Sequence, residues 1–195
     1  ASLSRPGGNI TGLSNMSADV GGKYLELLRA AVPKLKTVAV WNNRATKNIE
    51  QIEAGAKTMG AKIVVLEAQT ESEIETAFAK VMREHPDAMI VPPNAFLSVH
   101  SRRIAELAAK HRLPTIFWTR EHVDAGGLMS YGQNNAEHYY RAATYVDKIL
   151  KGAKPGKLPV EQATRLELFV NRKTAQAIGL AITPELFLRA DKVIE

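Results

Sequence analysis

Five short apolar runs, at residues 37–41, 62–67, 87–91, 115–118 and 128–131, constrain this chain more than any other feature. The first reads Thr-Val-Ala-Val-Trp, and continuous β-branched runs of this kind suit strands buried on both faces of a parallel sheet. Between the first four lie stretches of helical apolar periodicity, at about 46–59, 70–83 and 98–111. These carry their own punctuation. Gly60 sits where a left-handed cap would close the first, and Thr70-Glu-Ser-Glu offers the second a capping threonine and an acidic first turn. Strands alternating with helices of this length predict right-handed βαβ units in an α/β, doubly wound parallel sheet.

The flanks are organised differently. Residues 4–16 are rich in turn formers, with a brief extended piece at 10–13, and read as a connection. A helix comes next, capped by Ser17 or Asp19, with Tyr24, Leu25, Leu27, Leu28, Ala31 and Val32 on its apolar stripe and Pro33 beyond its end. After the fifth run, a helix at 136–150 has Tyr139, Ala142, Ala143, Val146, Ile149 and Leu150 on one side. A Lys, Gly and Pro linker spans 152–159, then a strand at 166–171 and a short helix at 173–178 stopped by Gly179. Thr183-Pro184 starts a last helix. No repeat of fixed period is present.

Composition narrows the function classes. With 45% hydrophobic and 24% charged residues the 195-residue chain has the profile of a globular protein. No apolar run approaches the roughly 20 residues of a membrane-spanning helix, and the opening Ala-Ser-Leu-Ser-Arg-Pro-Gly-Gly lacks the pattern of a leader, which leaves location open. The absence of cysteine removes disulfides, thiolate nucleophiles and Cys-based zinc sites. The net charge of +6 is dispersed along helices and lacks interleaved aromatics, so the reading is a solvated surface and no nucleic acid.

Catalytic signatures are missing. Neither G-x-G-x-x-G nor G-x-x-x-x-G-K-[ST] occurs, and Ser130 in Leu-Met-Ser-Tyr-Gly lacks the first glycine of a nucleophile elbow. The five histidines show no metal-ligand spacing and read as surface or helix-terminal residues; Glu121 and Asp124 read as local capping within one turn. No cofactor, metal or catalytic residue is expected. There remains a binding edge. In a parallel sheet the carboxyl ends of the strands point to one crevice, where Asn42, Asn43, Asn94, Trp118, Thr119, Arg120, Glu121 and Tyr131, with Gln133 beyond, should converge. Amides, an arginine able to grip a carboxylate and two aromatic faces suit a small zwitterion or acid. Taken singly, the asparagines are better explained as turn residues, and Trp118 and Tyr131 also fit a core.

Three segments together carry a resemblance: Arg5-Pro-Gly-Gly-Asn-Ile-Thr-Gly, Arg120-Glu-His-Val-Asp-Ala-Gly-Gly-Leu-Met-Ser-Tyr-Gly, and Ala142-Ala-Thr-Tyr-Val-Asp-Lys-Ile-Leu-Lys-Gly-Ala-Lys-Pro with Leu158-Pro-Val-Glu-Gln. The chain resembles ABC transporter substrate-binding proteins whose best-known members bind tryptophan and other aromatic amino acids. The resemblance implies one lobe of a type I periplasmic-binding-protein-like, Rossmann-like fold, a small organic solute clamped between two lobes, an ABC permease partner, and a periplasmic or extracellular, membrane-associated location. It also implies a division into a crossover at 1–16, a second α/β lobe at 17–132, a helix and linker at 133–165, and a returning strand and helices at 166–195. In the family a whole amino-terminal lobe precedes the Arg-Pro-Gly-Gly-Asn segment, and it is expected to be missing here. Its loss would orphan the apolar face of the 136–150 helix, so a homodimer through those residues is expected. Alternatives from other classes are the ligand-sensing domain of a regulator or receptor, and an α/β enzyme with an unrecognised site.

Overall fold

The computed structural model describes residues 2–14, 20–42, 49–162 and 165–195. The expected caps Ser17 and Asp19, the expected helix start at 46 and the candidate Asn43 lie outside them. In chain order the elements are β1 (Leu13–Ser14), α1 (Gly21–Ala31), β2 (Thr37–Trp41), α2 (Ile49–Met59), β3 (Lys62–Leu66), α3 (Glu71–Met82), β4 (Ala88–Val91), α4 (Ala95–Val99) and α5 (Ser101–Lys110). They continue with β5 (Thr115–Phe117), α6 (Arg120–Asp124), β6 (Met129–Gly132), α7 (Asn135–Leu150), β7 (Glu161–Gln162), β8 (Glu167–Asn171), α8 (Arg172–Ala177), α9 (Pro184–Arg189) and β9 (Lys192–Ile194). Two compact units result: Ala1–Met16 with Gln133–Leu166, and Ser17–Gly132 with Glu167–Glu195.

The larger unit is built on a seven-stranded sheet of order β3-β2-β4-β5-β6-β8-β9. Its first five strands are mutually parallel, as the apolar runs require, so the α/β doubly wound reading holds. Ala39, Trp41, Met89, Val91 and Phe117 turn to one face and pack with Ile74 and Phe78 of α3 and Ile104 and Leu107 of α5. Alternation sends Val38, Val40, Ile90 and Ile116 to the other face, all fully buried. Burying each such side chain contributes about 1.5–3 kcal/mol, which is why the pattern prevails over local preference.

Three details depart from expectation. β8 runs antiparallel to β6, with Gly132 opposite Glu167. The chain therefore leaves and re-enters the sheet at the same edge, and a strand that returns this way must run backwards. β9, unforeseen from sequence, adds in parallel to β8. Finally, the helix expected at 98–111 is two, α4 and α5, joined at His100, because Asn94 caps an earlier start by accepting from the Leu97 amide at 3.3 Å.

The smaller unit pairs β1 with β7 in parallel, Leu13 opposite Glu161 and Ser14 opposite Gln162. The Thr11 hydroxyl donates to the Leu158 carbonyl at 2.7 Å, and the Tyr145 hydroxyl to the Pro159 carbonyl at 2.7 Å. Arg141 of α7 grips Glu161 of β7 through two 2.7 Å hydrogen bonds. Among the described residues of α7 Tyr145 is the buried one. The stripe expected to be left without a partner within the chain is open to solvent: Tyr139, Val146 and Leu150 are 76%, 56% and 83% exposed.

Candidate functional site

β2, β4, β5 and β6 are neighbours in the sheet and run the same way, so the residues just beyond each strand emerge along one continuous edge. Asn42 comes after β2, Asn94 after β4, Trp118 to Glu121 after β5, and Tyr131 sits at the end of β6. Seven of the eight candidates are thus carried to one edge, and the eighth, Asn43, lies outside the described residues. Gln133 belongs to the smaller unit.

Their individual environments separate them. Asn42, Asn94, Trp118 and Tyr131 are half-buried, while Arg120 and Glu121 are exposed at the start of α6. The Asn94 carbonyl oxygen serves its own helix, the turn role that was the alternative for it. Arg120 donates from Nε to Asp124 at 3.0 Å, and its guanidinium lies 5.4 Å from the Phe169 ring centre. Asp124 is thereby an ion-pair partner of Arg120. Tyr131 sits near Tyr24, whose hydroxyl is pushed above the usual tyrosine range by burial and by that neighbour.

Thr119 and His122 are both buried. Thr119, expected on the binding wall, is 2% exposed and turned inward. His122, expected at the surface or at a helix end, lies in the last turn of α6 and is also 2% exposed; its Nδ1 shares a 2.8 Å hydrogen bond with the Thr119 hydroxyl. Its ring stacks on Phe117 at 5.0 Å between centroids and lies 5.9 Å from the Trp118 ring. Burial pushes its pKa down to about 4, against the opposing field of Glu121. The polar string Arg-Glu-His-Val-Asp reads as a solvated turn, yet residues three apart on a helix share a face, so His122 faces back to Thr119 over the Phe117 ring.

Gly132 is a second residue with a role the sequence did not disclose. A Cβ there would stand 1.8 Å from the Trp118 carbonyl oxygen. The end of β6 can lie against the start of the β5 loop only without a side chain. Gly127 is similar, since a Cβ would meet the Phe117 ring at 2.5 Å and the His122 carbonyl at 2.8 Å. Two glycines thus fix the backbone on both sides of Trp118 and α6.

The smaller unit has a cleft of about 340 Å³, lined among others by Gln133 and Asn134 ahead of α7, by Glu137 and Arg141 of α7, and by Glu161. Arg141 holds the Glu161 carboxyl down to about 2. Among the described residues no three metal-ligating side chains gather, and no helix is long and apolar enough to cross a membrane.

Comparison with known proteins meets this geometry directly. The family model described as ABC transporter substrate binding protein matches residues 1–194. The chain belongs to that family. It is similar to the ABC domain from Streptococcus pneumonia in complex with L-Trp, with 25% identity, a TM-score of 0.86, and coverage of 100% of this chain and 68% of the other. A conserved domain protein from Vibrio cholerae is as near, at 25% identity and a TM-score of 0.87, covering 98% of this chain and 65% of the other. The ligand-free, open structure of a substrate binding protein with adhesive properties from Clostridium difficile shares the fold, at 23% identity and a TM-score of 0.70, covering 100% and 65%. The chain thus spans about two thirds of the length of these relatives. No curated protein matches it. Substrate-binding proteins of ABC transporters are solute carriers and not enzymes, and they work in the periplasm or outside the cell.

Proposed function

We propose that this chain supplies one wall of the solute site of an ABC transporter substrate-binding protein, with a small organic acid or zwitterion such as an aromatic amino acid as its ligand. The observation that carries the reading is the convergence of Asn42, Asn94, Trp118, Arg120, Glu121 and Tyr131 on one edge of a parallel sheet in a member of this family. Trp118 and Tyr131 offer aromatic faces for a ring, and Arg120 a planar fork for a carboxylate. The L-Trp bound to a similar protein supports an aromatic ligand. In this reading the larger unit is the second lobe of a two-lobed binder, working outside the cytoplasm and delivering its solute to a permease. The exposed stripe Tyr139, Val146 and Leu150 is then a docking face, and a second copy of the chain is the partner proposed for it.

Isothermal titration calorimetry with L-tryptophan, L-tyrosine and L-leucine tests the site. Arg120→Ala should weaken binding by about tenfold or more, since a hydrogen bond to a charged group contributes about 1.5–3 kcal/mol, and Trp118→Ala should weaken it through the lost ring face. Unchanged affinity in both variants removes these residues from the site.

A further inference from the structure

We propose that His122 is a positioning residue for the ligand-facing turn 118–121, holding it through the buried hydrogen bond to Thr119, and that protonation of its ring releases the turn. The inference goes deeper into the binding reading above and rests on it for the meaning of that turn, though the clamp itself stands on geometry alone.

Between Thr119 and His122 lie only Arg120 and Glu121, so the 2.8 Å bond closes a loop of four residues whose two inner members are the charged candidates. Thr119 anchors the turn from below and His122 fixes the anchor. The imidazole stacks on Phe117, and the His122 backbone is held by the Gly127 amide, which donates to its carbonyl at 2.9 Å. Trp118, on the other side of Thr119, lies beside the same ring. One buried side chain therefore touches, or is bonded to, the two residues that lead into the exposed pair.

Burial disfavours the charged form of the ring more than the field of Glu121 and a hydrogen bond to the Thr119 backbone favour it. Glu121 on its own helix is the charged group whose field reaches it. Arg120 and Asp124 of the same helix are exposed and paired to each other. β5 presents Thr115, Ile116 and Phe117, without charge, and the alternation of β6 puts Ser130 on this face and Tyr131 on the other. From β8, Glu167 and Phe169 share the Ser130 face. The charges of α5, at Arg102, Arg103, Glu106 and Lys110, are solvent-exposed, and Arg103 is paired with Glu75. The ring's Nε2 is buried with no hydrogen-bond partner among the described residues, and the Ser130 hydroxyl is in the same condition. A second proton would arrive at one ring nitrogen already buried in that setting, and the cost is relieved by turning the ring out to water, which breaks the bond to Thr119.

The test needs no ligand, so its failure is distinguishable from failure of the binding reading. In a Trp41→Phe background Trp118 is the single tryptophan and reports on its neighbour. Its emission should shift reversibly to the red on acidification, with a midpoint near pH 4, while far-UV circular dichroism stays constant. His122→Asn, which keeps a hydrogen-bonding atom at the Nδ1 position but does not titrate there, should give the neutral-pH emission throughout. Thr119→Val should show the released emission at pH 7 already. The proposal is overturned if His122→Asn retains the same transition, if Thr119→Val leaves both emission and its pH profile unchanged, or if the transition coincides with loss of the far-UV signal.

Discussion

α5 and α7 carry the same kind of apolar stripe, yet α5 buries Ile104, Ala105, Leu107 and Ala108 while α7 leaves Tyr139, Tyr140, Val146 and Leu150 in solvent. The residues of α5 find cover inside their own unit, against a sheet face made by Met89, Val91 and Phe117. Those of α7 belong to a unit in which the described residues form a sheet of two strands of two residues each. The described residues there present too little surface to cover sixteen residues of helix. Amphipathic spacing therefore states that a helix needs a partner surface; it says nothing of which part of a protein, or which other molecule, provides it.

That comparison breaks most sharply under truncation. Ile104→Ala should cost about 2–5 kcal/mol in urea unfolding, the range for emptying a well-packed site. Val146→Ala and Leu150→Ala should change stability by less than about 0.5 kcal/mol, as surface substitutions do, at protein concentrations too low for a second copy to cover the stripe. If Val146→Ala costs as much as Ile104→Ala, and the cost grows with protein concentration, the α7 stripe is covered by a second copy in solution.

Backbone approach separates the regions at the next level. Gly132→Ala forces a methyl group onto the Trp118 carbonyl and should cost about 1–3 kcal/mol, with a change in Trp118 emission. Gly22→Ala in α1 meets nothing within 4 Å and should stabilise the helix by about 0.5–1 kcal/mol. Equal effects of the two would mean that the tight contact at the end of β6 yields easily, and that the edge is not held by it.

Legibility in the residues divides along the same line. β2 occupies the expected residues and β3, β4, β5 and β6 agree with expectation to within a residue at either end, because continuous β-branched runs have few other uses. The edge they share was legible too, since parallel strands must end together. The reversed direction of β8 was not, because nothing in Leu-Glu-Leu-Phe-Val-Asn encodes which way the strand enters the sheet. His122 was missed for a related reason: its sequence neighbours Arg120, Glu121 and Asp124 are all exposed, and only Phe117, from the preceding strand, reveals that the ring lies inward. Asn94 serves its own helix as a turn residue would, whatever else it touches.

Acidification provides the mildest probe of the two units, through His122 in the larger and Glu161 in the smaller, whose windows differ. In the larger unit the folded pKa of His122 is lowered, so its neutral form stabilises the fold at neutral pH; that stability is lost as pH falls from the unfolded value of about 6.5 towards about 4. In the smaller unit the Glu161 carboxyl is also depressed, to about 2, chiefly by its hydrogen bonds from Arg141. Its stabilisation is fully present above the unfolded glutamate value of about 4.3 and is lost as pH falls through about 2. The effect will be small, since about half of the Arg141 side chain and a third of that of Glu161 are open to water, where screening weakens the pair. Amide exchange in α7 should accelerate slightly between pH 4 and pH 2 after correction for intrinsic rates, and Glu161→Gln should remove that dependence while leaving α6 untouched. Equal pH dependence of α7 exchange with and without the carboxylate would mean that the bond between Arg141 and Glu161 does not hold the helix to β7, and that Tyr145 and its bond to Pro159 hold it alone.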